Sequence, residues 1–205
     1  MIIKVVSVIF SQVFEAKRSR IRRIPKLIDD TVLAFSKRDA LRLMKNFHDG
    51  IKQNSFRLKR LQDGTIERKR SMAMEKPNVP LYGAGDSKKK NSFVNMLRMR
   101  KVKAGYKVFA SNAKHHSADL KLKDLLDVHE KGRIISRGDA LIRIPPRPAF
   151  EKAFKRTLKQ RRVQEDAADV RRAYTAFMNT GSDADIKAIQ TKAIAGLKQF
   201  EGREE

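Results

Sequence analysis

The sequence predicts an α+β fold: an N-terminal helix packed on a small antiparallel sheet, a basic flexible loop, and closing C-terminal helices. Three observations carry this. Apolar residues recur at helical spacing after Pro25 and again after Pro148. Two short runs of strand character, each with a turn signal, lie between those stretches. Residues 54–92 are poor in apolar side chains and rich in Gly, Ser, Lys and Arg.

Taken in order, "IIKVVSVIF" at 2–10 is β-branched and apolar and reads as a strand, an arm able to pair with another sheet. Lys17, Arg18, Arg20, Arg22 and Arg23 form a basic hinge, so residues 1–23 are set apart as an arm. From Pro25 the pattern is helical through Leu27, Ile28, Val32 and Phe35, then Leu41, Met44, Phe47 and Ile51. Pro25 suits a first turn, and Ser36 to Asp39 has capping-box spacing that divides this stretch in two. Residues 79–92, "VPLYGAGDSKKKNS", read as a mobile basic loop. "RMRKVKAGYKVFAS" predicts a hairpin turning at Ala104-Gly105, and "IISRGDALIRI" a second around Arg137-Gly138-Asp139. A short helix at 118–128, stopped near Gly132, separates them. One helix is expected from about 148 to 178, stopped by Gly181, and another from about 184 to 200 after an N-cap at Ser182 or Asp183. Residues 24–162 thus form the α+β domain and 163–205 a helical extension.

Charge narrows the partner class. The chain of 205 residues has 47 Lys+Arg against 23 Asp+Glu, a formal net of +24. Eight acids and six bases fall between Val163 and Glu205, so that segment is −2 and residues 1–162 hold +26. Such a field favours a polyanion or an acidic protein surface. Lys88, Lys89, Lys90, Arg98, Arg100 and Lys101 are the residues expected to face it, through phosphates and without reading base sequence.

Several chemistries are excluded or disfavoured. With no cysteine, thiolate catalysis, zinc–thiolate sites and disulfides are impossible. No apolar run approaches the roughly 20 residues that span a bilayer. The opening "MIIKVVSVIF" is interrupted by Lys4 and lacks a small-residue cleavage pattern after it, unlike a signal peptide. His115, His116, Asp119, His129 and Glu130 lack the i, i+4 spacing of helical metal sites. No carboxylate cluster, nucleophile elbow or phosphate-binding loop is evident. The expectation is a non-enzyme with no cofactor and no metal.

The most informative stretch is "ALIRIPPRP" at 140–148 and the helix after it. Pro145, Pro146 and Pro148 lack donor N–H groups and end the strand, while Pro148 suits a helix start. Phe150, Phe154 and Leu158 follow as an apolar stripe. The result is a rigid strand-to-helix corner.

Three pieces together resemble the tail-completion or neck proteins of tailed bacteriophages, the virion morphogenesis family at the head–tail connector. They are "FRLKRLQDGTIERKR" (56–70) with "PLYGAGD" (80–86), "VHEKG" (Val128 to Gly132), and "RIPPRPAFEKAF" (Arg143 to Phe154). The resemblance covers about residues 25–160. The family's Thr-Gly is Ala84-Gly85 here, Lys131 stands where an aromatic often precedes the glycine, and Ala149 displaces the phenylalanine to Phe150.

The resemblance implies a structural virion protein of the neck or tail-completion ring, joining head connector to tail and lining or surrounding the DNA channel. It implies a homo-oligomeric ring, six-fold, beside head-connector or adaptor proteins and tail-terminator, tail-tube or sheath proteins. Non-specific contact with packaged DNA, no membrane contact, and assembly in the host cytoplasm into the virion also follow. The ring and partner interface is then expected at Arg143, Pro145, Pro146, Arg147, Pro148, Phe150, His129 and Gly132. In that role Arg147 is a rigid donor fork for a partner's carboxylate or carbonyl. The competing class is a basic RNA- or ribosome-associated binding protein, which accounts for the charge but not for the corner.

Overall fold

The computed structural model describes residues 2–74, 76–81, 89–103, 105–116, 120–137 and 140–203. It is α+β. The helices are α1 (Ile2–Lys52), α2 (Asp63–Ser71), α3 (Leu122–Lys131), α4 (Ala149–Lys159), α5 (Val163–Thr180) and α6 (Ala184–Ile194), with a 3₁₀ turn at Lys198–Arg203. Two antiparallel hairpins supply the strands: β1 (Leu97–Val102) with β2 (Gly105–Ala110), and β3 (Arg133–Arg137) with β4 (Ala140–Ile144). Both hairpins lie over the expected stretches, but Gly105 is the first residue of β2, paired with Val102, and not part of the turn. Residues 82–88, the centre of the expected basic loop, are outside the described residues.

Four expectations need correction. Residues 2–10 are helix, not strand. The β preference of Ile and Val costs a helix only tenths of a kcal/mol each, and no Gly or Pro lies between Ile2 and Ile24 to stop propagation. Pro25 sits inside α1, and the capping-box spacing at Ser36 to Asp39 does not break the helix. Packing decides here, because Leu27, Leu41, Met44, Phe47 and Ile51 are all buried from one continuous helix. The stretch 148–178 is two helices. Arg42 takes the Gln160 carbonyl (3.0 Å) and Asp39 pairs with Arg161 (2.7 Å), so α1 side chains fasten the end of α4. In addition, α2 is a helix in a stretch that the sequence marks only as poor in apolar side chains, with Ile66 as its buried anchor.

The chain divides into two compact units, Met1–Arg38 with Arg162–Gly196, and Asp39–Arg161 with Leu197–Glu205. In the first, α5 and α6 close on α1 around Leu27, Ala173, Phe177 and Ile186, bordered by Ile24, Tyr174, Met178 and Ile189. Arg20 donates to the Met178 and Asn179 carbonyls (2.7 and 2.9 Å), the negative end of α5. Gly181 then ends α5 in the left-handed conformation (φ 79°). Arg23–Asp183 (3.1 Å) and Arg38–Asp166 (2.8 Å) add ion pairs.

The second unit has its core around Leu41, Met44, Phe47 and Ile51 of α1, with Val94, Met96, Leu97, Met99 and Leu122, all fully or almost fully buried. Phe47 meets Phe93 at 5.9 Å between ring centres. Helix α4 buries its small face, Ala149, Ala153 and Thr157, and Asn46 donates to Thr157 Oγ1 (2.9 Å). That choice leaves the larger side chains of α4, Phe154 and Leu158, about half exposed (47% and 45%).

Gly50 shows how tight the end of α1 is. A Cβ there would lie 2.0 Å from Phe56 Cζ, and Phe56 is held under the Arg156 guanidinium (5.1 Å). Gly50→Ala is therefore expected to cost about 2 kcal/mol by overpacking. The double variant Gly50→Ala/Phe56→Leu should recover part of that loss in urea unfolding. Strict additivity would show that the ring is free to move aside.

Candidate functional site at the proline corner

The corner begins where α3 ends. Gly132 follows the helix with φ 76° and ψ 165°, its N–H bonded to the Val128 carbonyl (2.8 Å). A side chain cannot be added, since a Cβ would meet Ile144 O at 2.8 Å and Pro146 N at 2.9 Å. The β3–β4 register, Arg133 opposite Ile144, brings the strand's end back beside this glycine. Of residues 145–148 only Arg147 has an N–H, and it donates to the His129 carbonyl (2.5 Å). The Arg147 side chain turns inward, 8% exposed, and its Nε donates to the Lys59 carbonyl (3.2 Å). Burial lowers the affinity of its guanidinium for a proton.

Pro148 is the N-cap of α4 and has no side-chain acceptor to offer. Glu130 of α3 supplies one instead: Phe150 N donates to Oε1 (2.7 Å) and Glu151 N to Oε2 (3.4 Å). Burial raises the Glu130 carboxyl above its usual range, more than the bonds from Phe150 and Glu151 hold it down. His129 stands edge-on to Phe93, 5.3 Å away at 89°. Its Nδ1 is buried without a partner, and burial, then the nearby Arg147 charge, drop its pKa to about 4. The imidazole is neutral near pH 7.

Parts of the three pieces that carry the resemblance meet here, while residues 82–86 of "PLYGAGD" lie outside the described residues. Segment 56–62 supplies Lys59, segment 128–132 supplies His129, Glu130 and Gly132, and segment 143–154 supplies the corner. Of the expected interface residues, Arg143 and Pro146 are exposed, Pro145, Pro148, Phe150, His129 and Gly132 are partly buried, and Arg147 is internal. The expected outward fork at Arg147 is thus corrected to a tie within its own unit. Lys59 and Arg60 are not marked by the sequence, and Glu130 is weighed there only as a metal ligand, not as the cap of α4. The one usable signal for Glu130 was a helix start whose N-cap is proline.

The expected polyanion-facing residues separate in the same way. Lys88 lies outside the described residues. Lys89, Lys90, Arg100 and Lys101 are exposed. Arg98 is 2% exposed and donates to the carbonyls of Asn95 (2.5 Å), Leu97 (3.1 Å) and Lys90 (3.2 Å). It fastens the approach to β1 and does not face outward, a correction with a simple cause. Alternation puts Met99 in the core and Arg100 outside, but the strand's start is covered on both faces. Arg100 stands opposite Lys107 across the hairpin, a like-charge pair that disfavours the bare ribbon and favours an anion on it.

Among the described residues no group of three His, Asp or Glu is placed to hold a metal ion. Among them no helix is long and apolar enough to cross a membrane. Compared with protein-family models, with curated proteins and with solved structures, the chain has no match in any of the three.

Proposed function

We propose that this chain is a structural protein of a tailed-bacteriophage neck or tail-completion ring, joining the head connector to the tail. The observation that carries the reading is the meeting of residues from 56–62, 128–132 and 143–154, parts of the three resembling pieces, on one corner. Gly132, the Arg147 amide and Glu130 each have a specific mechanical duty there. Residues scattered over 56–154 that meet to aim one helix are explained by a requirement on that helix's direction. Helix α4, so aimed, presents Phe154 and Leu158 outward. An exposed apolar stripe on a rigidly oriented helix suits a heterologous contact that closes into a ring. Exposed Lys89, Lys90, Arg100, Lys101 and Lys107 suit packaged DNA or an acidic neighbour.

The test is particle assembly with Phe154→Asp. Because Phe154 is about half exposed, the variant should fold with nearly unchanged stability, within about 1 kcal/mol. Incorporation into particles should fall at least tenfold, read by electron microscopy and by the protein content of purified particles. Normal incorporation would remove α4 from the interface. Copurification with ribosomes or RNA in place of particles would favour the basic RNA-binding class.

A further inference from the structure

Beneath the corner lies an open cavity of about 590 Å³, bordered by segment 59–65 on one side and by His129 and residues 143–147 on the other. Its polar lining is one-sided. Lys59, Arg143 and Arg147 have no carboxylate within ion-pair reach among the described residues, while Arg60 shares its charge with Asp63 (2.9 Å). Arg147 is more than nine-tenths buried, and its side chain bonds through Nε alone, leaving both terminal nitrogens without an acceptor among the described residues. His129 Nδ1 is buried and also unpartnered. Gln62 and Thr65 add neutral hydrogen-bonding groups.

We propose that this cavity binds a phosphoryl group, with Arg147 as the buried fork, Arg143 and Lys59 closing over it, and Thr65 and Gln62 as neutral partners. Three uncompensated cations decide the ligand class. A single carboxylate would neutralise one of them, whereas a phosphoryl group at neutral pH brings nearly two charges and three acceptor oxygens. Arginine is the side chain whose planar fork matches such an oxyanion through two parallel bonds. The volume exceeds that of bare phosphate and falls in the range of small-molecule sites, so pyrophosphate or a phosphate carried on a larger molecule fits. This inference does not rest on the ring reading, because it uses only the lining of one cavity.

Titration calorimetry on the full chain at constant ionic strength tests it, with pyrophosphate, inorganic phosphate and a short DNA duplex as separate titrants. Saturable one-site binding of pyrophosphate or phosphate is expected. It should weaken at least tenfold in Arg143→Gln and in Lys59→Ser, exposed positions whose change leaves the Lys59 carbonyl in place. Arg100→Gln, on the separate β1–β2 hairpin, should leave that binding unchanged. Duplex binding without free-phosphate binding, lost in Arg143→Gln and kept in Arg100→Gln, supports the site and identifies its source as a nucleic-acid backbone. No saturable binding of any titrant, or equal loss in Arg100→Gln and Arg143→Gln, overturns the proposal.

Discussion

Gly132→Ala is expected to cost about 4 kcal/mol in folding stability. Two costs add. The backbone at Gly132 (φ 76°, ψ 165°) occupies a region essentially closed to residues with a Cβ, a strain of about 1–3 kcal/mol. The new methyl group would also lie 2.8 Å from Ile144 O and 2.9 Å from Pro146 N. Both obstacles are backbone, and neither can yield by a change of rotamer. Moving them drags the proline-fixed segment whose Arg147 amide is bonded to His129 O, a displacement comparable to overpacking a core, about 1–3 kcal/mol. Chemical denaturation of wild type and variant gives the difference directly. A loss under about 1 kcal/mol would show that the corner yields easily and does not aim α4.

The same corner separates what a sequence can say from what it cannot. Two hairpins, the stop at Gly181 and the entry at Pro148 were legible because turn and cap chemistry act over a few residues. The helical state of residues 2–10 was not, since β-branched residues only weakly oppose a helix. Helix α2 hid behind a single buried side chain, Ile66, too little for periodicity to register. The apolar stripe of α4 was visible as a pattern, but its direction was not. Ala149, Ala153 and Thr157 form the buried face of α4, with Thr157 bonded to Asn46 of α1, so the small residues went inside and Phe154 and Leu158 stayed out.

Charged residues were the hardest to place. Arg98 and Arg147 look like surface cations in sequence, yet both are buried, and each is tied to the backbone at a carbonyl, Arg147 through Nε alone. Their acceptors are peptide groups at Asn95 and Lys59, and a carbonyl has no signature in a sequence. Glu130 is similar, since its partners are the N–H groups of Phe150 and Glu151, twenty residues on. Once Arg147 is internal, the outward character of the corner rests on Arg143, Pro146 and the α4 stripe.

His129 should make the protein sensitive to acid, with a loss of about 3 kcal/mol between neutral pH and pH 4 from this group alone. Its pKa in the folded chain is about 4, against 6.5 for the free side chain. As pH falls below about 6.5 the unfolded chain takes up a proton that the folded chain refuses, so stability drops with each further unit until about pH 4. The cause is local: burial beside Phe93 and the positive Arg147, with no acceptor at Nδ1 to hold an extra proton. Glu130 acts with the opposite sign, because its raised carboxyl binds a proton in the folded chain first, so the total slope alone is not diagnostic. His129→Gln isolates the imidazole, since the Arg147 amide bonds to the residue's backbone carbonyl, which the substitution keeps. Urea unfolding at pH 7.5 and pH 4.5 should show wild type losing roughly 2–3 kcal/mol more than the variant. Equal losses in the two proteins would mean that the imidazole accepts a proton in place, and that the cavity beneath the corner admits enough water or anion to hold the charge.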